Sequence, residues 1–145
     1  EAVGKLIVCS DSLKSLRAFL DAVSGLEGYR VQRAPSPELL GTWARLEFPD
    51  GLRVELCSIP GADEARPLWR PFAAGALGAV ALDAARGSQQ LAEFIVREAR
   101  LPMVVLTDGE LPQPLQGPAV VRIGRSETRE ALKTLLGMIS RLAAA

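Results

Sequence analysis

Residues 42–57 read TWARLEFPDGLRVELC, two runs of alternating apolar and polar residues on either side of Pro49-Asp50-Gly51. Three residues leave no room for a crossover helix, so the two runs must form an antiparallel hairpin. Side-chain chemistry sets the register. With Pro-Asp-Gly as the loop, Phe48 faces Leu52, Leu46 faces Val54 and Ala44 faces Leu56. The opposite face then pairs Glu47 with Arg53 and Arg45 with Glu55, so one face is apolar and the other carries two opposite-charge pairs. A two-residue loop would set Leu46 against Glu55 instead. Proline pre-sets the turn, and Gly51 supplies the left-handed position of a bulge-type loop. In this register Trp43 falls in line with Arg45 and Glu47 on the charged face.

Outward from the hairpin, short apolar blocks alternate with helical periodicity. KLIVC (5–9) is a continuous apolar run, as expected of a strand buried on both faces. Leu13, Leu16, Phe19, Leu20 and Val23 then recur at helical spacing. Further strands are expected over 77–83, 102–107 and 119–123, and helices over 63–75, 88–99 and 126–143. Ser126 stands as N-cap of the last helix, with Arg129 where a capping box would want Glu. The expected architecture is a three-layer α/β sandwich with a mainly parallel six-stranded sheet, the first hairpin strand lying antiparallel at its edge. A receiver-like fold would be βα throughout, which the hairpin contradicts.

The chain has 145 residues, 48% hydrophobic and 23% charged, with 17 Lys+Arg against 17 Asp+Glu. It fits a single domain, 1–145, which can itself be one domain of something larger because it begins with Glu1 rather than Met. Zero net charge and no polybasic stretch argue against nucleic acid and against membrane attachment. The apolar runs are far shorter than the ~18 residues of a membrane helix, and no leader pattern indicates secretion. No histidine is present, which excludes a Ser-His-Asp triad and, with only Cys9 and Cys57 as thiols, argues against zinc. Both cysteines end apolar strands that should lie side by side, and they are expected as buried reduced thiols in a cytoplasmic protein.

From Val54 to Asp83 the chain reads VELCSIPGADEARPLWRPFAAGALGAVALD. With the element order, this stretch resembles the Ras-like P-loop GTPases, and within them the bacterial gliding-motility polarity branch. There the third strand ends in Thr-x-Pro-Gly followed by Gln; a helix with an aromatic and a Gly-Ala-x-Gly-Ala-Val lead into the next strand come after it. Ser58-Ile59-Pro60-Gly61 matches the turn, Trp69 the aromatic and Gly75 to Val80 the small-residue lead.

The resemblance implies a nucleotide site, whose parts can be checked one by one. A phosphate loop has the pattern G-x-x-x-x-G-K-[ST], its glycines letting successive N–H groups turn inward. Here only Ser10, Asp11, Ser12 and Leu13 precede Lys14-Ser15. The loop is about two residues short, lacks both glycines, and brings a carboxylate where phosphates would sit. Lys14 and Ser15 align with the phosphate lysine and the magnesium hydroxyl, but equally suit a helical first turn capped by Ser10 or Ser12. Gly61 aligns with the γ-phosphate glycine, whereas Ala62 replaces the water-orienting Gln. Thr107-Asp108-Gly109-Glu110 stands where the family reads guanine with Asn-Lys-x-Asp. Glu110 keeps a carboxylate; Asp108 reverses the lysine's charge. Asp108 to Pro118 holds three prolines and two glycines in eleven residues, so the helix the family carries there, its fourth, is reduced or absent.

Three sites thus fail in three ways, which implies a degenerate, non-catalytic Ras-like domain serving as a protein–protein interaction module in bacterial signalling, polarity or motility. No catalytic residue, cofactor or metal is expected. Its partner would be another protein such as a roadblock-type regulator, another domain of its own chain, or a second copy in a homodimer. Trp43, Arg45, Glu47, Arg66, Trp69 and Arg70 are the contact candidates. The alternative is an atypical domain binding GTP or GDP with magnesium, with weak or no hydrolysis, through Lys14, Ser15, Ser58, Gly61, Thr107 and Glu110. A degenerate receiver-like module is the third reading; it requires the first hairpin strand to run parallel to its neighbour.

Overall fold

Strand β1 (Gly4–Cys9) sends its side chains alternately into two cores, Leu6 and Val8 into one, Ile7 and Cys9 into the other. The computed structural model describes residues 4–10, 12–35, 41–82 and 86–144. Around β1 lie β2 (Arg30–Arg33), β3 (Gly41–Glu47), β4 (Arg53–Ser58), β5 (Gly78–Ala81), β6 (Met103–Leu106) and β7 (Val120–Ile123). They form one sheet in the order β2-β3-β4-β1-β5-β6-β7. β2/β3 and β3/β4 are antiparallel, and β4, β1, β5, β6 and β7 run parallel. The antiparallel β3/β4 pair is incompatible with a receiver-like sheet.

The hairpin register is the expected one. Ala44, Leu46 and Glu47 sit opposite Leu56, Val54 and Arg53, and Arg45 opposite Glu55. Phe48 N–H donates to the Leu52 carbonyl at 2.8 Å, Gly51 N–H to the Phe48 carbonyl at 2.9 Å, and Gly51 adopts φ +95°.

Two features of the sheet correct the sequence expectation. It has seven strands rather than six, because β2 pairs outside β3 and becomes the edge. Arg30-Val31-Gln32-Arg33 holds a single apolar residue, so it carries no periodic signal; pairing with β3, Val31 packed against the core and the Arg33–Asp21 ion pair hold it in place. The second correction is a β-bulge between Thr42 and Ala44. Thr42 pairs with Cys57 and Ala44 with Leu56, which leaves Trp43 as the extra residue. An extra residue breaks the two-residue alternation. Trp43 therefore turns away from the charged face into the core, where it is 1% exposed.

Helices α1 (Leu13–Ser24) and α4 (Thr128–Ala144) cover one face through Leu16, Phe19, Leu20, Val23, Leu132 and Leu135. Helices α2 (Arg66–Ala73) and α3 (Arg86–Arg97) cover the other through Trp69, Leu91 and Ile95. The span 63–75 divides into a 3-10 turn at Asp63–Ala65 and α2 proper. α4 begins at Thr128, and Glu127 rather than Ser126 precedes it, its carbonyl accepting from Ala131 N–H at 3.0 Å. Between β6 and β7 there is only a 3-10 turn, Gln113–Leu115, in agreement with the proline density. Gly78 is required by close approach: a Cβ there would lie 3.0 Å from Leu135 Cδ1 and 3.1 Å from the Pro102 carbonyl.

Candidate functional site

The C-terminal ends of the parallel strands gather the turns after β1, β4, β5, β6 and β7 at one end of the sheet, the usual place for ligand sites in such folds. At the first turn, Ser10 and Ser12 engage several of the backbone donors. Ser12 is the N-cap of α1, its hydroxyl accepting from Ser15 N–H at 3.1 Å. Ser12 N–H donates to Ser10 Oγ at 3.2 Å, the Ser10 hydroxyl donates to the Ser12 carbonyl at 3.0 Å, and Leu16 N–H closes the first helical bond to that carbonyl. The amides of Ser12, Ser15 and Leu16 are therefore engaged within the turn, where a phosphate cradle needs inward-facing N–H groups. Lys14 is exposed, and the Ser15 hydroxyl accepts from that of Ser12 at 3.0 Å. Asp11 and Asp83 lie outside the described residues.

The turn after β4 is held from both sides of the sheet. Trp43 Nε1–H donates to Ser58 Oγ at 2.5 Å from one core. Trp69 Nε1–H donates to the Pro60 carbonyl at 2.9 Å from the other. Gly61 follows directly, and Ala62 opens the next 3-10 turn by accepting from Ala65 N–H at 3.0 Å.

The turn after β6 is tied to its neighbours. Gly109 N–H donates to Thr107 Oγ1 at 3.1 Å, and Arg122 reaches the carbonyls of Thr107 and Gly109 at 3.4 and 3.3 Å. Asp108 Oδ1 accepts from Arg125 N–H at 3.0 Å, joining the loops after β6 and β7. Glu110 is exposed. Among the described residues this set departs from a guanine-nucleotide and magnesium site in three places. The Ser12, Ser15 and Leu16 amides are engaged, the phosphate-loop glycines are missing, and the side chain at the base-stacking lysine position is the Asp108 carboxylate, which accepts from Arg125 N–H. Among the described residues no three His, Cys, Asp or Glu side chains gather to hold a metal ion.

Of the vestigial-site residues, Lys14 and Ser15 do line a cleft, of about 430 Å³, between α1 and the start of α4. Ala18, Phe19, Ala22, Leu82, Leu106, Arg125 and Thr128 complete it. Sequence reading missed these partners, because they come from four separate segments and form no local motif.

The contact candidates divide. Trp43 and Trp69, 1% and 0% exposed, are core residues in opposite layers, so neither is a surface anchor and no patch joins them. Arg45 and Glu47 are on the surface, pairing with Glu55 at 3.8 Å and Arg53 at 3.2 Å. Arg66 pairs with Asp63 at 3.3 Å, bonds Gln90 at 2.6 Å, and lies 4.5 Å over the Trp69 ring. Arg70 pairs with Glu98 at 3.0 Å. Cys9 and Cys57 are buried free thiols on the paired strands β1 and β4. Burial pushes the Cys9 pKa up to about 12 and raises that of Cys57, against the lowering effect of the Thr42 hydroxyl and Lys5.

No protein-family model and no curated protein matches the chain. Among solved structures, it is similar to the G domain of the T. maritima FeoB iron transporter, at 15% identity and a TM-score of 0.52, over 97% of this chain and 98% of that one. It also aligns with a chain of the T. brucei IFT22/74/81 GTP-bound structure, at 18% identity and a TM-score of 0.47, over 98% of each. The chain has a P-loop GTPase-like α/β fold. Among the described residues no helix is long and apolar enough to cross a membrane.

Proposed function

We propose that the domain uses a G-domain-like fold as a nucleotide-independent protein-binding module, a fixed surface rather than a switch. The observation that carries this reading is the closed turn between β1 and α1, whose Ser12, Ser15 and Leu16 amides are engaged by the chain itself. The two indole N–H bonds at Ser58 and Pro60 support it too, because they hold the turn that would have to move in a switch. Such a domain carries no hydrolytic activity and takes no cofactor. We place it in the cytoplasm, in bacterial signalling or polarity. Its partner is a second protein, such as a roadblock-type regulator, or another domain of its own chain.

The binding surface we assign is the half-sheet of β2, β3 and β4 on the side opposite α1. It displays Arg30, Gln32, Arg45, Glu47 and Arg53 around a groove of about 320 Å³, with Glu55 paired to Arg45 beside it. The Arg45 and Arg53 side chains are 62% and 54% exposed.

The test is titration of a fluorescent GDP with magnesium, followed by competition with unlabelled GTP, GDP and ATP. The expected result is no saturable binding by the folded protein at roughly 100 μM, a concentration at which any ligand with micromolar Kd is bound. Micromolar affinity that disappears in Lys14→Ala would overturn the reading and return the domain to the nucleotide-binding alternative.

A further inference from the structure

The sheet ends in two unlike edges. β2 carries two arginines in four residues, the kind of charge that guards an edge. β7 reads Val120-Val121-Arg122-Ile123, and its one charged group is drawn inward, Arg122 reaching the Thr107 and Gly109 carbonyls of the loop after β6. Among the described residues β7 pairs with β6 alone. We infer that two copies of the chain join at this edge, β7 against β7 in antiparallel register about Val121, which makes one continuous sheet of the two.

Backbone alternation and side-chain chemistry select that register. Met103 N–H donates to the Ala119 carbonyl and Thr107 N–H to the Ile123 carbonyl, both at 2.9 Å, so the odd-numbered residues of β7 turn their backbone groups to β6. Val120 and Arg122 therefore direct theirs away from the sheet. Centring on Val121 sets Val120 opposite Arg122 of the second copy, and the outward groups meet each other. Val120 N–H is held by the Gly117 carbonyl at 3.2 Å, so the ladder begins with Arg122 N–H donating to the second copy's Val120 carbonyl, twice by symmetry. On the α4 side Val121 meets Val121 and Ala119 meets Ile123; Val121 and Ile123 pack on the core yet stay partly exposed. Centring on Arg122 would also match the outward groups, but it sets Arg122 against itself, a like-charge pair.

Charge complementarity points to a second copy as the occupant. Arg141 lines an apolar cleft with Pro118 and Ala119 at the start of β7. Glu127 lies against Gly124 just beyond its end, where a Cβ would be 2.7 Å from Oε2. With Ala119 opposite the second copy's Ile123, Arg141 comes beside the second copy's Glu127, and the symmetry repeats the pair. The inference is independent of the nucleotide reading, and the β2–β4 half-sheet stays open at the far edge of each copy.

The test is sedimentation equilibrium of the full chain, without added nucleotide, from about 5 to 500 μM; a short edge pairing should give a dimer with a Kd of roughly 10–100 μM. Arg122→Pro removes the outward N–H and keeps every β7 donor that faces β6, so the folded variant should be monomeric throughout. Arg141→Glu and Glu127→Arg should each weaken association about tenfold, because two attractive pairs become repulsive. Mixing these two variants should restore it, since each copy then offers the charge that the other lacks. Wild-type protein that stays monomeric to about 500 μM overturns the proposal. So does a dimer that persists in folded Arg122→Pro, which would place the contact elsewhere, or a mixture no tighter than either variant alone. If Arg122→Pro does not fold, the mixture decides, because Glu127 and Arg141 are both exposed.

Discussion

Trp43 and Ser58 close a hydrogen bond of 2.5 Å between indole and hydroxyl inside the core, across the bulge that joins β3 to β4. The bulge turns the indole inward, and Ser58, at the end of β4, supplies the acceptor its N–H needs. Ser58→Ala removes that acceptor and should destabilise the domain by about 1–3 kcal/mol, the cost of a buried donor left unpaired. Trp43→Ala should cost about 3–5 kcal/mol through the cavity it leaves. Urea unfolding checks both. A Trp43→Ala variant that kept wild-type stability would mean the indole is not packed where it lies.

Trp69 holds the same turn from the other layer through the Pro60 carbonyl. Trp69→Phe keeps an aromatic ring beside Phe94 while deleting the indole donor together with part of the buried ring volume. Amide exchange at Ile59 to Ala65 should then quicken about fivefold, as expected from losing a bond worth about 1 kcal/mol. Exchange in β6 should not change. A uniform increase over the whole chain would indicate global destabilisation rather than release of the turn.

At the first turn, Ser12→Ala should cost about 0.5–2 kcal/mol, the usual penalty for a lost N-cap. It frees Ser15 N–H from its side-chain partner but supplies no glycine. Nucleotide affinity should therefore remain absent. Appearance of GDP binding in Ser12→Ala would show that the cap alone blocks the cradle.

Gly51 sits at φ +95° with nothing within 4 Å of a Cβ built upon it, so its cost is purely that of backbone conformation. Gly51→Ala should destabilise by about 1–2 kcal/mol and Gly51→Asn by less, since Asn tolerates left-handed geometry. Thermal unfolding of the two variants decides this. Equal loss in both would place the penalty in a steric contact instead.

Much of this fold was legible because the hairpin's two faces differ in chemistry. Leu46 against Val54 and Glu47 against Arg53 fit only one register, and that register set the antiparallel edge and the parallel remainder. The bulge was illegible, since an inserted residue is invisible to a period of two; Trp43 was read on the wrong face for that reason. β2 was illegible because Val31 is its single apolar residue, too little to show a period of two, and the Arg33–Asp21 ion pair that helps to hold it forms only in the fold. Lys14 and Ser15 were found from a motif, yet their cleft depends on Arg125 and Leu106, which tertiary folding alone brings near.

Cys9 links that buried architecture to pH. Its thiol is wholly buried on the face of β1 that packs against α2 and α3, and burial raises its pKa from an ordinary 9.0 to about 12. In the unfolded chain the thiol ionises near its ordinary value, so between about pH 9 and 12 the folded state holds one proton more. Stability should be fully present below pH 9 and fall as pH rises through that window, this residue contributing up to about 1.4 kcal/mol per pH unit. Cys57, also raised, adds to the same trend. Cys9→Ala should be less stable at pH 7, by about 1 kcal/mol for the lost sulfur packing, yet show a shallower loss between pH 9 and 11. Urea midpoints at pH 7, 9 and 10.5 measure the difference. Parallel alkaline slopes in wild type and Cys9→Ala would mean the thiol reaches water in the folded state, and the β1 core would then be looser than its packing requires.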